Sequence, residues 1–229
     1  MVGAGFFPRF FFALLSLARF GINVGFAERP FFAGLVWGLI TGDMTTALFL
    51  AIFYELFWLD SLPVGTCVPP NALFPMFCVL VFAETTSSTG IHALFLPVML
   101  TLPLGLLGSF LEKKHREWQS KGYARTLQAF HATGSVEKPA RVSIGISLAQ
   151  SFFLHFTIFL CVAPVVLAAL HYLTVCHETV LTLPDATWPL LWAFGAMGGV
   201  LALRIKRSLT IFAIGIAALG LMLLFGLRW

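Results

Sequence analysis

The chain has 229 residues, of which 59% are hydrophobic and only 10% charged, and its formal net charge is +4. A soluble domain is about a quarter charged because its surface faces water, so most of this surface must face something apolar. The positive excess sets membrane orientation and not nucleic-acid binding, because no basic face interleaved with aromatic residues is present to follow a phosphate backbone.

These features predict an all-α polytopic membrane protein with about seven to nine membrane segments, several of them short, broken or re-entrant. Residues 1–229 read as one membrane-embedded domain with a cytoplasmic polar loop at 112–142. No cleavable signal peptide is expected, because Arg9 and Arg19 interrupt the first apolar run and no small-residue cleavage site follows it. That run, Phe6 to Ala27, reads as a helix that also carries Asn23, with Arg9 near one end and able to snorkel to the headgroups.

The next stretch, Arg29 to Phe74, is the most unusual. Pro30 to Gly42 and Asp43 to Leu59 are each too short for a full crossing, which needs roughly 20 residues. Broken backbone of that kind is tolerated at membrane depth only where protein covers it or it lines a wet cavity. Gly34, Gly38 and Gly42 recur every fourth residue and are expected to let a second helix pack closely. Asp43 stands where a helix restarts. It can cap that helix, or serve as a hydroxyl-binding or gating carboxylate. Glu55 lies in a nearly wholly apolar run, where an ionisable group needs a partner or water. Its two readings are a solute-contacting or gating role and acceptance of backbone N–H bonds left open by the broken segments. Ser61 to Asn71 then forms a stiff polar hairpin held out of helix by Pro63, Pro69 and Pro70. It offers Ser61, Thr66 and Asn71 as fixed donors and acceptors.

Leu73 to Ala83 continues the apolar pattern into the polar run from Glu84 to Gly90. Ile91 to Leu111 is a clear span containing Pro97 and Pro103. Within the expected loop from Glu112 to Val142, a short amphipathic helix is predicted around Ala124 to His131. Ile144 to Tyr172 is a long span interrupted by Pro164. Trp188 to Leu203 and Leu209 to Leu227 complete the set.

Residues 113–141 carry seven Lys and Arg and residues 204–207 carry three, whereas 174–187 carry none. The positive-inside rule therefore places 112–142 and 204–207 in the cytoplasm. Gly34 and Gly38 precede Asp43 as Gly195 and Gly199 precede Arg204, a faint echo of the inverted repeats found in secondary transporters.

No cofactor or metal is indicated. Cys67, Cys78, Cys161 and Cys176 form no C-x-x-C pair. Neither H-E-x-x-H nor a phosphate-binding G-x-x-x-x-G-K-[ST] occurs, so zinc hydrolysis and ATP hydrolysis by this chain are not expected. His92, His155 and His171 are scattered among apolar residues and read as structural. Gln150 reads as a hydrogen bond between helices.

Arg29-Pro30, Gly42-Asp43, Glu55-Leu56, Gly65 and Pro70-Asn71-Ala72 together resemble the membrane IIC subunit of the mannose/fructose/sorbose family of the bacterial sugar phosphotransferase system. The match covers about a fifth of the chain, with weaker likeness around Gln150 and Gly195–Gly199. Where the family usually has Asp after Pro, this chain has Asn71, and Asp60 and Pro63 replace residues expected to be neutral and polar.

The resemblance implies a sugar permease subunit in the bacterial cytoplasmic membrane that crosses it many times and is not an enzyme on its own. It implies a second membrane subunit, IID, and cytoplasmic IIA and IIB phosphocarriers that bear the phosphorylated histidines. A hexose-type sugar would contact Glu55 and Asn71, with Asp43 and Thr66 as further contacts. Two other readings of the residues are a membrane enzyme acting on lipid headgroups, with Asp43, Glu55 or His92 as acid or base, and a non-transporting assembly subunit.

Overall fold

Eight helices and no strand make up the described residues of the computed structural model, which are 6–17, 26–59, 68–87, 90–133, 137–176, 187–202 and 208–224. The helices are α1 (Phe6–Leu17), α2 (Pro30–Thr41), α3 (Met44–Phe57), α4 (Leu73–Thr86), α5 (Ile91–Thr133), α6 (Glu137–Cys176), α7 (Trp188–Ala202) and α8 (Ser208–Leu224). Arg19, Asn23 and most of the hairpin, including Asp60, Ser61, Pro63, Gly65 and Thr66, lie outside the described residues, as do Arg204, Lys206 and Arg207.

The break between α2 and α3 is written in three residues. Pro30 begins α2, where a missing N–H costs nothing and a fixed φ helps. Gly42 ends it at φ 84°, donating its N–H to the Gly38 carbonyl. That left-handed conformation is cheap only for glycine. Asp43 then caps α3 by accepting the Thr46 N–H at 3.1 Å, which settles the local geometry in favour of the capping reading. The two helices span about 18 and 21 Å, short of the roughly 30 Å of a hydrocarbon core, and they fold back on each other as a hairpin.

Glycines set how that hairpin packs. A Cβ on Gly34 would sit 2.5 Å from Ala51 Cβ, and one on Gly38 would sit 2.9 Å from the Met44 Cα. On the other side of α3, a Cβ on Gly195 would lie 3.0 Å from the Phe53 carbonyl oxygen and one on Gly199 2.9 Å from that of Leu56. So α3 is held between two faces of small residues, from α2 and from α7, at backbone-to-backbone distance. The packing role expected for Gly34 and Gly38 is thus observed. Gly42 departs from it: a Cβ there would meet nothing within 4 Å, and its role is conformational.

The core centres on α4. Every residue from Leu73 to Ala83 is buried, so this helix is covered on all faces, as an apolar stretch without a polar side must be. It packs against α1, α3, α5 and α6, and rings of Phe12, Phe74, Phe77 and Phe159 interlock around it. Thr85 and Thr86 return their hydroxyls to the Phe82 carbonyl as α4 ends. α7 packs on α3 and carries α8 on its far side.

Among the described residues, two stretches are long and apolar enough to cross a bilayer, Ile91–Ser120 and Arg141–Leu173. The polar segment expected as a loop at 112–142 is instead helical through most of its length: α5 runs to Thr133 and α6 begins at Glu137. Its residues are polar but are strong helix formers (Glu, Lys, Arg, Gln, Ala), so the helix continues past its apolar part.

Replacing Gly34 with Leu forces α2 off α3 and is expected to cost about 3 kcal/mol or more, at the upper end for overpacking. Gly42→Ala, which touches nothing, is expected to cost only about 1–2 kcal/mol of backbone strain. Gly42→Asn recovers part of it, because Asn tolerates the left-handed conformation. Thermal unfolding in detergent ranks the three, and a Gly34→Leu protein as stable as wild type would refute the close packing.

Candidate functional site

Glu55 is a carboxylate placed inside an apolar helix, α3. Its Oε1 accepts from Arg29 Nη1 at 3.2 Å, and its Oε2 accepts the Phe31 N–H at 3.3 Å. Phe31 lies in the first turn of α2, where backbone N–H groups have no partner within the helix and the helix dipole favours negative charge. Glu55 therefore closes α2 from across the hairpin, as the backbone-acceptor reading anticipated. The side chains are 38% exposed for Arg29 and 23% for Glu55, so the pair is partly screened and contributes about 1 kcal/mol or less by itself.

Around this ion pair opens a cleft of about 430 Å³ lined by Phe26, Arg29, Phe31, Phe32, Ile52, Glu55 and Leu56. Phe26 and Phe32 meet edge to face at 5.0 Å. Aromatic and aliphatic walls with one charged pair form an amphipathic surface, apolar for C–H edges and polar at one point.

The second carboxylate is Glu112 on α5, and sequence reading passed over it. Its side chain is buried at 4% exposure. Asn71 Nδ2 donates to Glu112 Oε1 at 2.6 Å, while Asn71 Oδ1 accepts the Phe74 N–H and the Asn71 N–H reaches the Gly105 carbonyl. Gly105 and Gly108 make the notch that admits this loop end, since a Cβ on Gly108 would come within 2.8 Å of Asn71 Cβ.

His155 on α6 sets Nε2 3.5 Å from the same carboxylate oxygen and Nδ1 2.7 Å from the Ser151 carbonyl. A carbonyl oxygen only accepts, so Nδ1 carries a proton. The network thus ties the hairpin end to α5 and α6.

Beside Glu112 and His155 lies a cavity of about 200 Å³ between α1, α5 and α6, lined by Ser16, Leu17, Glu112, His115, Arg116, Gln119, Ser147, Leu148, Ser151 and His155. Gln119 Nε2 donates to the Ser147 carbonyl and to Ser151 Oγ, each at 3.2 Å. Ser16 Oγ and His115 Nε2 are buried and meet no hydrogen-bond partner among the described residues. Leaving such a group unsatisfied costs about 1–3 kcal/mol.

The structure does not gather the sequence-derived candidates into one place. Glu55 lies in the aromatic cleft, Asn71 in the Glu112 network, and Asp43 at the other end of α3 from Glu55. Thr66 is outside the described residues. Tyr54 on α3, hydrogen-bonded to Thr101 on α5 at 2.9 Å, joins the two helices that carry Glu55 and Glu112. His155 is satisfied, as expected, whereas His92 and His171 are exposed. Among the described residues, no three His, Cys, Asp or Glu side chains converge as metal ligands would.

The missed residues carried a signal. Glu112, His115 and Gln119 recur at helical spacing on one face, as do Ser151 and His155.

Apolar helices of membrane length around a broken helical hairpin fit an integral membrane protein. The family model for the sorbose-specific IIC component of the phosphotransferase system matches residues 9–224. The chain belongs to that family, and so to the sugar permease components of the mannose/fructose/sorbose group. No curated protein and no solved structure matches the chain significantly.

Asn71→Leu removes a buried donor from Glu112 and is expected to destabilise the protein by about 1.5–3 kcal/mol, as for a hydrogen bond to a charged group. Adding Glu112→Leu to Asn71→Leu should cost less than the two single changes summed, with a coupling of about 0.5–3 kcal/mol. Denaturant or thermal unfolding of the four proteins measures it, and strict additivity would dissolve the pair.

Proposed function

We propose that the chain binds and translocates a hexose-type sugar for phosphorylation by IIA and IIB phosphocarriers. It works with a IID membrane subunit as a multi-pass protein of the bacterial cytoplasmic membrane. The observation that carries this reading is the Arg29–Glu55 pair set in the wall of the aromatic cleft. A sugar offers apolar C–H edges to aromatic rings and hydroxyls to a carboxylate or guanidinium, and this cleft supplies both kinds of surface. Glu55 and Asn71 are the polar anchors in this reading. Thr66 is a further proposed contact, and Asp43 sets the start of the helix that presents Glu55.

The α2–α3 hairpin is suited to move as a unit. Gly34 and Gly38 seat α2 closely on α3, the Arg29–Glu55 pair closes the hairpin on itself, and Gly195 and Gly199 of α7 give the hairpin a close, small-residue neighbour. Rigid-body displacement of such an element is how alternating access is commonly achieved. The chain itself does no covalent chemistry here. Phosphoryl transfer on the cytoplasmic side traps the sugar after it has crossed.

Uptake and phosphorylation of radiolabelled L-sorbose, D-mannose and D-fructose in cells with and without this chain, together with its partner subunits, test the reading. Glu55→Gln keeps an acceptor for the Phe31 N–H but loses the charge facing Arg29, so uptake is expected to fall roughly tenfold, or about 1.4 kcal/mol. Equal uptake and phosphorylation without the chain would refute the assignment.

A further inference from the structure

We propose that the cavity between α1, α5 and α6 is a binding site for a neutral, polyhydroxylated solute of monosaccharide size, read by Glu112, Gln119, His115, Ser16 and Arg116. This rests on the permease reading and deepens it, adding a station beside Asn71 to the cleft at Glu55.

Size limits the occupant. The cavity holds about 200 Å³, below the roughly 300–1,000 Å³ typical of drug-sized ligand pockets. Its lining is polar: one carboxylate, one guanidinium, one carboxamide, two imidazoles and three hydroxyls. The guanidinium and the carboxylate offset each other, so neither a free anion nor a cation is favoured. A ligand that donates and accepts from the same group is favoured, because the wall presents both acceptors (Glu112) and donors (Arg116, Gln119).

Two wall groups await such a ligand. Ser16 Oγ and His115 Nε2 belong to side chains 3% and 8% exposed, and neither has a hydrogen-bond partner among the described residues. They stand on different helices, α1 and α5, so one ligand with hydroxyls on opposite edges satisfies both. The backing is already rigid: His155 is fixed through Ser151, and Glu112 is fixed by Asn71. A built second tier of this kind is what holds binding groups in place.

The test uses membranes containing the full chain and equilibrium binding of radiolabelled L-sorbose, D-mannose and D-fructose. Ser16→Leu and Gln119→Leu each fill the cavity, and each is expected to weaken binding of the accepted sugar at least tenfold. Because a filled cavity can unfold the protein, Ser16→Cys supplies an independent reading. This near-isosteric change keeps the fold, and bound sugar should slow alkylation of the new thiol at least fivefold.

Undiminished binding in both filled variants, or alkylation indifferent to sugar, means a cavity that holds solvent only. Either result overturns this site while the permease reading stands. A wild-type chain that binds none of the three sugars overturns both.

Discussion

A charged or strongly polar side chain inside an apolar helix must receive its partners from elsewhere in the chain, and this constraint shapes the whole molecule. An isolated ion in such surroundings costs several kcal/mol even after relaxation. Glu55 on α3 finds Arg29 and the Phe31 N–H, both contributed by the start of α2. Glu112 on α5 finds Asn71 at the end of the hairpin and His155 on α6. These ties fix which helices neighbour one another in a medium where apolar contact alone says little, because lipid is as apolar as leucine.

What polar pairs specify, small residues permit. α3 approaches α2 and α7 at backbone distance only because glycines stand at the crossings, and close approach is where dispersion becomes strong enough to hold helices together. α4 is buried on all faces and interlocked by aromatic rings. The α2–α3 hairpin is closed on itself by Arg29 and Glu55, and α3 is tied to α5 through Tyr54 and Thr101 and to α7 through Trp192 and the Phe49 carbonyl.

Much of the hairpin was legible in sequence, because its determinants are local. Pro30 at a helix start, Gly42 in a left-handed cap and Asp43 as an N-cap each act within a few residues. The placement of Gly34 and Gly38 at a helix contact likewise follows from their spacing. The polar extension of α5 was less legible, because hydropathy falls at Glu112 while helix propensity does not, and the fall was read as the end of the helix. That misreading hid the second network: once 112–119 is seen as helix, Glu112, His115 and Gln119 fall on one face. The separation of Glu55 from Asn71 was not legible either. It depends on long-range packing, with Asn71 drawn into the Gly105–Gly108 notch of α5.

The residue at position 71 shows how the two levels meet. The family pattern leads one to expect aspartate there, and the chain has asparagine. In this structure the side-chain nitrogen lies 2.6 Å from a Glu112 oxygen. An aspartate would set two carboxylates against each other at that distance, where they cannot both ionise and one proton must be shared. Asparagine removes the conflict by donating to Glu112 through Nδ2 and accepting from Phe74 through Oδ1. Aspartate, once ionised, can only accept. Asn71 and Glu112 therefore make sense as a pair, and the departure at one position is answered by a carboxylate from another helix. The carboxylate at this junction is thus carried by Glu112 on α5 and not by position 71.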